Sequence, residues 1–138
     1  GWPKRPGGST KNLPGIDLPE IIFVRWQSLV EPQTYNVRIN IPAWVREEML
    51  KPQRGYCHWG GQWRDNQYRK TITIGLAPGG IAKVWVDGPC LEGIEIGRLE
   101  GVISKVGPYG GKSDGNYYFL SDEAKAYIEE HGIPYGSW

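Results

Sequence analysis

The feature that most constrains the fold is a pair of alternating apolar segments separated by a short turn. Residues 71–77 read TITIGLA and residues 81–88 read IAKVWVDG. Alternation of this kind is typical of β-strands with one buried face. Between the two segments, Pro78, Gly79 and Gly80 are typical turn residues. The sequence therefore predicts an antiparallel hairpin whose GLAPGG turn fixes the strand register and has no role in chemistry.

The alternation also assigns the two faces of this hairpin. The face expected to lie in the core consists of Ile72, Ile74, Leu76, Ala82, Val84 and Val86. The face expected to point outwards consists of Arg69, Thr71, Thr73, Lys83 and Trp85. Because a strand places successive side chains on opposite faces, Trp85 is predicted to be an exposed aromatic residue and is a candidate for binding a partner.

A second antiparallel hairpin is predicted from residues 21–30 and 35–41. Its inward residues are expected to be Ile22, Val24, Trp26, Val30, Tyr35, Val37, Ile39 and Ile41. The joining residues VEPQT have the length of a hairpin connection. EIGRLEG at 95–101 and VISKVG at 102–107 predict weaker strands broken by glycines, and YYFL at 117–120 predicts a short strand after the GPYGG loop.

Two helices are expected outside the strands. The first begins at Pro42 and ends before Pro52, and its sheet-facing residues are expected to be Trp44, Val45, Met49 and Leu50. The second follows Ser121, a good N-cap residue, and ends at Gly132. Its apolar stripe is expected to consist of Ala124, Tyr127, Ile128 and His131.

These elements together predict an α+β fold, with an antiparallel sheet of about five to seven strands and one or two helices packed on it. Residues 20–138 are expected to form a single domain. Residues 1–19 are dense in proline and glycine and have no apolar period, so they are expected to form a flexible N-terminal tether.

Composition argues against several classes of function. The formal net charge is +1, which gives no electrostatic reason to expect nucleic acid or an anionic membrane surface as a partner. The longest apolar runs are too short for a transmembrane helix.

Cys57 and Cys90 favour one disulfide, although two reduced thiols in a cytosolic protein fit the same count. With His58 and His131 they lack the paired spacing of a metal site, so no metal is expected.

No motif in the sequence indicates catalysis. The GLAPGG turn lacks the ending of a phosphate-binding loop and opens a strand, and Gly111, Lys112 and Ser113 lack the strand-to-helix setting of such a loop. There is no G-x-S-x-G motif, and no Ser or Cys nucleophile is linked to His58 by spacing. We therefore expect no enzymatic activity, no catalytic residue and no cofactor.

Aromatic residues outside the predicted core are the strongest functional signal. Residues 51–67 have no apolar period and are expected to form a long loop, which in a compact domain is commonly functional or disordered. Candidate partner-binding residues in this loop are Arg54, Tyr56, Trp59, Trp63 and Arg64. Trp, Tyr and Arg dominate the energetics of protein interfaces. Each tryptophan singly fits an ordinary covering of the core equally well, and the same rings would also stack on sugars.

The last predicted helix contributes a further candidate. Glu129 and Glu130 stand near the negative end of the helix dipole, where acids are mildly destabilising. Lys125 can offset Glu129 at its i+4 spacing, whereas Glu130 has no such partner. A solvated charged face explains this arrangement without any function. The alternative is an acidic patch at Glu130 that meets a basic partner.

Several segments resemble a known family of small proteobacterial proteins. They read RWQSLVEPQTYNVRINIPAWVREEM, ITIGLAPGG, KVWVDGPC, GPYGG and EEHGIPYGSW. In combination they resemble the family catalogued as domain of unknown function 2931, over nearly the whole chain from about residue 20 onward. No catalytic residues are established for that family, so the resemblance assigns none here.

The resemblance implies a setting for this chain. Members of the family are typically lipoproteins, and several are encoded beside phospholipase effectors of the type VI secretion system, in the position of immunity proteins. It thus implies a periplasmic, lipid-anchored protein that binds and blocks a toxic lipase-like effector. Residues 1–19 would then be the tether, and the only membrane contact would be a lipid anchor upstream of it. The periplasm would oxidise Cys57 and Cys90. A carbohydrate- or envelope-binding lipoprotein module is the alternative.

Overall fold

The computed structural model describes residues 18–105 and 121–138 of the chain. These residues form an α+β fold that is mostly β, which confirms the predicted fold class. In chain order the elements are β1 (Ile21–Gln27), β2 (Thr34–Asn40), α1 (Ala43–Leu50), β3 (Gln53–Cys57), β4 (Gln62–Gln67), β5 (Thr71–Ala77), β6 (Ile81–Gly88), β7 (Leu91–Glu100), β8 (Val102–Ile103) and α2 (Asp122–His131).

The described strands number eight and are divided among three antiparallel sheets, whereas the sequence predicted one sheet of five to seven strands. The strand orders are β1–β2–β8, β3–β4 and β5–β6–β7. Both predicted hairpins are confirmed, with Val24 opposite Val37 in the first and Ile74 opposite Val84 in the second. The glycine-broken segment after residue 90 forms one continuous strand, β7, followed by the short strand β8.

The PGG stretch is confirmed as the turn of the β5–β6 hairpin. Gly79 and Gly80 have φ values of 81° and 77°, a region that side-chain-bearing residues rarely adopt. A Cβ atom at Gly80 would also lie 2.7 Å from the ring of Tyr35. The glycines are therefore required by the backbone and by the close approach of the first hairpin.

The hydrophobic core lies between the first and third sheets. Its fully packed centre consists of Val37 and Ile39 from β2 with Ala82 and Val84 from β6. Partly buried apolar side chains surround this centre, and they are Ile22, Val24, Trp26, Ile41, Ile72, Ile74, Ile96 and Leu99. All the inward residues predicted for β2 and β6 are buried or partly buried, because the alternation in these strands reflects a real division between core and exterior.

The predicted faces of the β5–β6 hairpin need three corrections. Trp85 is buried, with 8% of its surface exposed, and not outward-facing as expected. Lys83 lies over its ring with Nζ 5.7 Å from the ring centroid, and the backbone at Gly93 lies against it. Arg69 is buried as well, because Glu48 and a main-chain carbonyl accept its hydrogen bonds. Leu76, expected inside, is exposed at the end of its strand.

The helices are confirmed, but their predicted apolar faces are only half right, since Met49, Ala124 and Ile128 are half-buried as expected. Val45 is the one buried residue of α1, whereas Trp44 and Leu50 are exposed, because a helix of two turns covers only a small area of the domain. Helix α2 buries no residue. Its Tyr127 is exposed and stacks on His131 with ring centroids 4.2 Å apart. The predicted N-cap is confirmed, since the Ser121 hydroxyl accepts a hydrogen bond from the Ala124 amide.

Most of the predicted tether, residues 1–17, lies outside the described residues, as do the predicted GPYGG loop and the YYFL strand. The described end of the tether contacts the domain. The Leu18 carbonyl accepts a hydrogen bond of 2.6 Å from the Arg46 side chain. The next part of the chain is held in the same way, because the Glu20 carbonyl accepts a hydrogen bond of 2.7 Å from the Ile41 amide.

Glu48 joins α1 to the strands that follow it. Its carboxylate accepts hydrogen bonds from Lys51 at 3.1 Å, Gln53 at 2.9 Å and Arg69 at 3.1 Å. The Arg69 side chain also donates to the Glu92 carbonyl of β7 at 2.8 Å. The hydrogen bonds from Lys51 and Gln53 lower the pKa of Glu48 below its ordinary value.

We predict that Glu48→Gln lowers the free energy of unfolding by about 1–3 kcal/mol near neutral pH, because Arg69 loses its charged partner in a buried setting. The folded-state pKa of Glu48 lies below the unfolded value, so its contribution is complete above the unfolded pKa and disappears as the pH falls through the folded one. Urea unfolding of both proteins at neutral and acidic pH measures this. The exposed neighbour Glu47 provides the control, Glu47→Gln, which should change stability little at either pH.

The predicted disulfide between Cys57 and Cys90 is confirmed. The two Cα atoms are 4.5 Å apart and the residues are separated by 33 positions. Both cysteines are buried. The bond joins the end of β3 to the turn between β6 and β7, and it therefore ties the second sheet to the third.

We predict that replacing both cysteines by alanine lowers the free energy of unfolding by about 3–4 kcal/mol, since a loop of this length is released in the unfolded chain. Denaturant unfolding of the oxidised protein, the reduced protein and the double variant measures the loss. Thiol titration of the unfolded, unreduced protein is the accompanying control. Reaction of both thiols in that titration would contradict the prediction.

Candidate binding surface on the β3–β4 hairpin

The segment predicted as a loop, residues 51–67, is a β-hairpin, and this prediction is corrected. Strands β3 and β4 pair with Tyr56 opposite Trp63 and Cys57 opposite Gln62. The turn is closed by the amides of Gly60 and Gly61, which donate to the Cys57 carbonyl at 3.1 and 2.8 Å. Sequence alternation is absent because β4 is exposed on both faces from residue 62 to residue 66, so no apolar period marks it.

One strand of the hairpin is fixed to the domain and the other projects from it. On β3, Gly55 packs directly against the Cys90 carbonyl and the Leu91 side chain, and a Cβ atom there would overlap them. The disulfide at Cys57 fixes the end of the same strand. The paired strand β4 contributes no buried residue. The hairpin is therefore a platform with a rigid base and an exposed outer strand.

One aromatic group on this platform is built around Trp63. Its ring lies 5.5 Å from that of Tyr56 at an angle of 64°, a favourable edge arrangement. The Arg54 guanidinium lies 5.6 Å from the Trp63 ring centroid. The His58 ring also makes an edge contact with the Tyr56 ring, with centroids 4.8 Å apart. Despite these contacts 59% of Trp63 is exposed.

A second group is formed at the turn by Trp59 and Arg64. The Arg64 guanidinium lies 4.7 Å from the centroid of the Trp59 ring, within the range of a cation–π contact. Trp59 is 68% exposed, the most exposed tryptophan of the described chain. The two arginines thus each cover one indole, and both indoles remain open to solvent on their other sides.

The aromatic hairpin surface is defined here by five residues: Arg54, Tyr56, Trp59, Trp63 and Arg64. The structure brings together all five candidates that the sequence located between residues 54 and 64. Two further candidates lie elsewhere. Trp85 is buried in the third sheet, away from the aromatic hairpin surface in the fold, with 8% of its surface exposed. Glu130 is exposed on α2.

The charge of the hairpin is basic and weakly compensated. Asp65 is its one acidic residue, against Arg54 and Arg64. The Asp65 carboxylate lies 3.8 Å from Arg54, and both side chains are largely exposed, so this ion pair is loose. Among residues 18–105 and 121–138, no residue accepts a hydrogen bond from either guanidinium.

Sequence reasoning missed a second polar cluster, which is centred on Glu31. Its carboxylate accepts hydrogen bonds from the Gly79 amide at 3.1 and 3.2 Å and from the Tyr135 hydroxyl at 2.6 Å. Burial by itself would raise the pKa of Glu31, but the hydrogen bonds from Tyr135 and Gly79 outweigh it and lower the pKa. The same bond raises the pKa of Tyr135 to about 12. No local pattern indicates this contact, since its partners lie 48 and 104 residues away.

Within residues 18–105 and 121–138, no three His, Cys, Asp or Glu side chains are grouped to hold a metal ion. In the same residues no helix is long and apolar enough to cross a membrane.

The fold and the surface define the class of protein. It is a mostly β, α+β domain with one disulfide and an exposed aromatic hairpin. The chain belongs to the family described as "Protein of unknown function (DUF2931)", whose model matches residues 4–136. The match begins inside the segment predicted to be a tether. No curated protein and no solved structure matches the chain.

Proposed function

We propose that this chain is a non-enzymatic binding protein whose aromatic hairpin surface docks on a partner protein. The observation that carries the proposal is the exposure of two indoles, each covered by an arginine, on a hairpin fixed by a disulfide. Following the family resemblance, we take the partner to be a toxic lipase-like effector of the type VI secretion system and the chain to be its immunity protein.

The residue types and their rigidity support protein docking. Trp, Tyr and Arg are the residues whose truncation most often costs binding energy at protein interfaces. The Arg54–Trp63 and Arg64–Trp59 contacts restrict side chains that would otherwise lose rotational freedom on binding. Because β3 is held at Gly55 and Cys57, the backbone beneath these side chains is also ordered before a partner arrives.

Such a surface would inhibit a lipase without any chemistry of its own. A lipase must admit an extended lipid to its nucleophile, so a projecting hairpin that covers the entrance excludes the substrate. The disulfide supports an oxidising compartment, and the periplasm is the proposed location. A lipid anchor upstream of residue 1 would place the domain where a secreted effector reaches the membrane.

The alternative function is a carbohydrate- or envelope-binding module that uses the same two indoles. Sugars bind tryptophan by stacking on an open ring face. Arg64 and Arg54 already lie over Trp59 and Trp63, which removes one stacking face from each. This arrangement favours a protein partner, and glycan binding becomes an outcome of the experiment below.

We predict that Trp59→Ala and Trp63→Ala each weaken binding to the purified lipase-like effector encoded beside the gene by about 2–4 kcal/mol, or about 30- to 1000-fold. Calorimetric titration of each variant measures the affinity. The matched control is Phe23→Ala, because Phe23 is 63% exposed on a different sheet and should leave the affinity unchanged. Trp85→Ala should lower the melting temperature instead, since Trp85 is buried.

Thermal melts of every variant separate folding from binding. If both hairpin variants keep their fold and full affinity, the binding surface lies elsewhere, and Glu130 on α2 is the next candidate. If the wild-type protein binds no effector but binds a glycan array through Trp59 and Trp63, the carbohydrate-binding alternative replaces the present proposal.

We also predict that the isolated protein hydrolyses no phospholipid, peptidoglycan or simple ester. The expectation follows from the absence of a nucleophile–base motif in the sequence. In the structure the His58 ring makes an edge contact with the Tyr56 ring, and this contact does not pair the histidine with a Ser or Cys nucleophile. Turnover assays with each substrate class test the prediction, with His58→Ala as the paired variant. Activity in the wild type that disappears in His58→Ala would overturn the non-enzymatic assignment.

A further inference from the structure

We infer that the protein surface met by the aromatic hairpin surface is acidic, and that Arg64 and Arg54 bind its carboxylates while remaining stacked on their indoles. This inference rests on the proposed function, which it extends from a docking surface to the chemistry of the partner. It depends on the charge of the hairpin and on the unused hydrogen-bond donors of its two arginines.

Arg64 is the more important of the two residues. Its guanidinium carbon lies over the Trp59 ring, 4.7 Å from the ring centroid. A stacked guanidinium of this kind keeps its N–H donors available for a further partner. No described residue accepts a hydrogen bond from it, and no described acid pairs with it. A guanidinium in this state is prepared for a carboxylate, which it binds through two parallel N–H···O bonds.

Arg54 is partly engaged by the chain itself. Asp65 lies 3.8 Å from its Nε atom, which is beyond hydrogen-bond distance, and 82% of the Asp65 side chain is exposed. Such an exposed pair contributes little and exchanges readily. A carboxylate from a partner would therefore compete with Asp65 for Arg54, and it would meet no competitor at Arg64.

Within the hairpin and next to it along the chain, the positive charge is not cancelled. Between Gln53 and Gln67 the hairpin has two arginines and one aspartate, and the exposed Lys70 follows the hairpin. The next acid along the chain, Glu48, is already bonded to Lys51 and Arg69. Charge complementarity then favours an acidic partner, which would also accelerate association at low ionic strength.

The first test compares single variants in binding to the same purified effector. We expect Arg64→Gln to weaken binding by about 10- to 100-fold and Arg54→Gln by a smaller factor. Arg64→Lys should recover only part of the loss, because lysine keeps the charge but lacks the planar fork. The affinity of the wild type should fall as salt is added, and Arg64→Gln should reduce that dependence.

Asp65→Asn is the most discriminating variant. It removes the competing carboxylate from Arg54 and one negative charge from the surface, so an acidic partner should bind about 2- to 5-fold more tightly. A basic or neutral partner would bind equally well or less tightly. If Asp65 had only a structural role, its replacement would not strengthen binding. Tighter binding by Asp65→Asn therefore supports the inference, and unchanged or weaker binding overturns it.

A second test does not need the effector. Wild-type protein labelled with ¹⁵N is titrated with the peptide acetyl-Glu-Glu-Glu-Glu-amide and, as control, with the corresponding lysine tetrapeptide. At millimolar concentrations the glutamate peptide should shift the Nε–H signals of Arg64 and Arg54 and the indole signal of Trp59, whereas the lysine peptide should not. The Arg25 side chain, which donates to Asn36 at 2.9 Å, provides an internal control.

The outcomes distinguish this inference from the proposed function. Effector binding that is lost in Trp59→Ala but unchanged in Arg64→Gln and Asp65→Asn, with no peptide shift, supports the docking surface and overturns the acidic partner. Peptide shifts at Arg64 without any effector binding overturn the immunity function and support carboxylate recognition. Arginine signals that respond to phosphatidylglycerol vesicles and not to the peptide assign the surface to lipid and overturn the inference.

Discussion

The Cys57–Cys90 disulfide is the constraint on which the candidate binding surface depends. A two-stranded hairpin is at best marginally stable on its own, and this one buries nothing along its outer strand. The covalent bond and the close packing of Gly55 on the Cys90 carbonyl supply what the missing apolar contacts cannot. The indoles of the hairpin are therefore not needed to stabilise it, and they can face solvent.

The two half-buried hairpins could be predicted from the sequence, because alternation directly reports a strand with one face in the core. The same reasoning failed where burial has other causes. For β4 both faces are exposed, so no period exists, and residues 51–67 read as a loop. For Trp85 the alternation was read correctly, but it cannot indicate that Lys83 and the Gly93 backbone cover the outer face.

Contacts between distant parts of the chain were beyond prediction for a related reason. Arg69 appears in the sequence as an outward-facing residue, and its burial depends on Glu48 in α1 and on a carbonyl in β7. The Glu31 cluster likewise joins three segments that no motif connects. By contrast, the clustering of Trp, Tyr and Arg between residues 54 and 64 could be recognised from the sequence, since a cluster of these residues outside an apolar period is visible without knowledge of the fold.

The Glu31 cluster has a consequence for helix α2, which buries no side chain of its own. The segment after the helix is held by Tyr135 on Glu31 and by the Trp138 carbonyl, which accepts a hydrogen bond of 3.0 Å from Arg98. These two hydrogen bonds therefore fix the C-terminal end of the chain to the first hairpin and to β7, while Ala124 and Ile128 of the helix are half-buried. The exposed side chains of α2 take no part in these two bonds, so their charge and shape can vary while the attachment is kept.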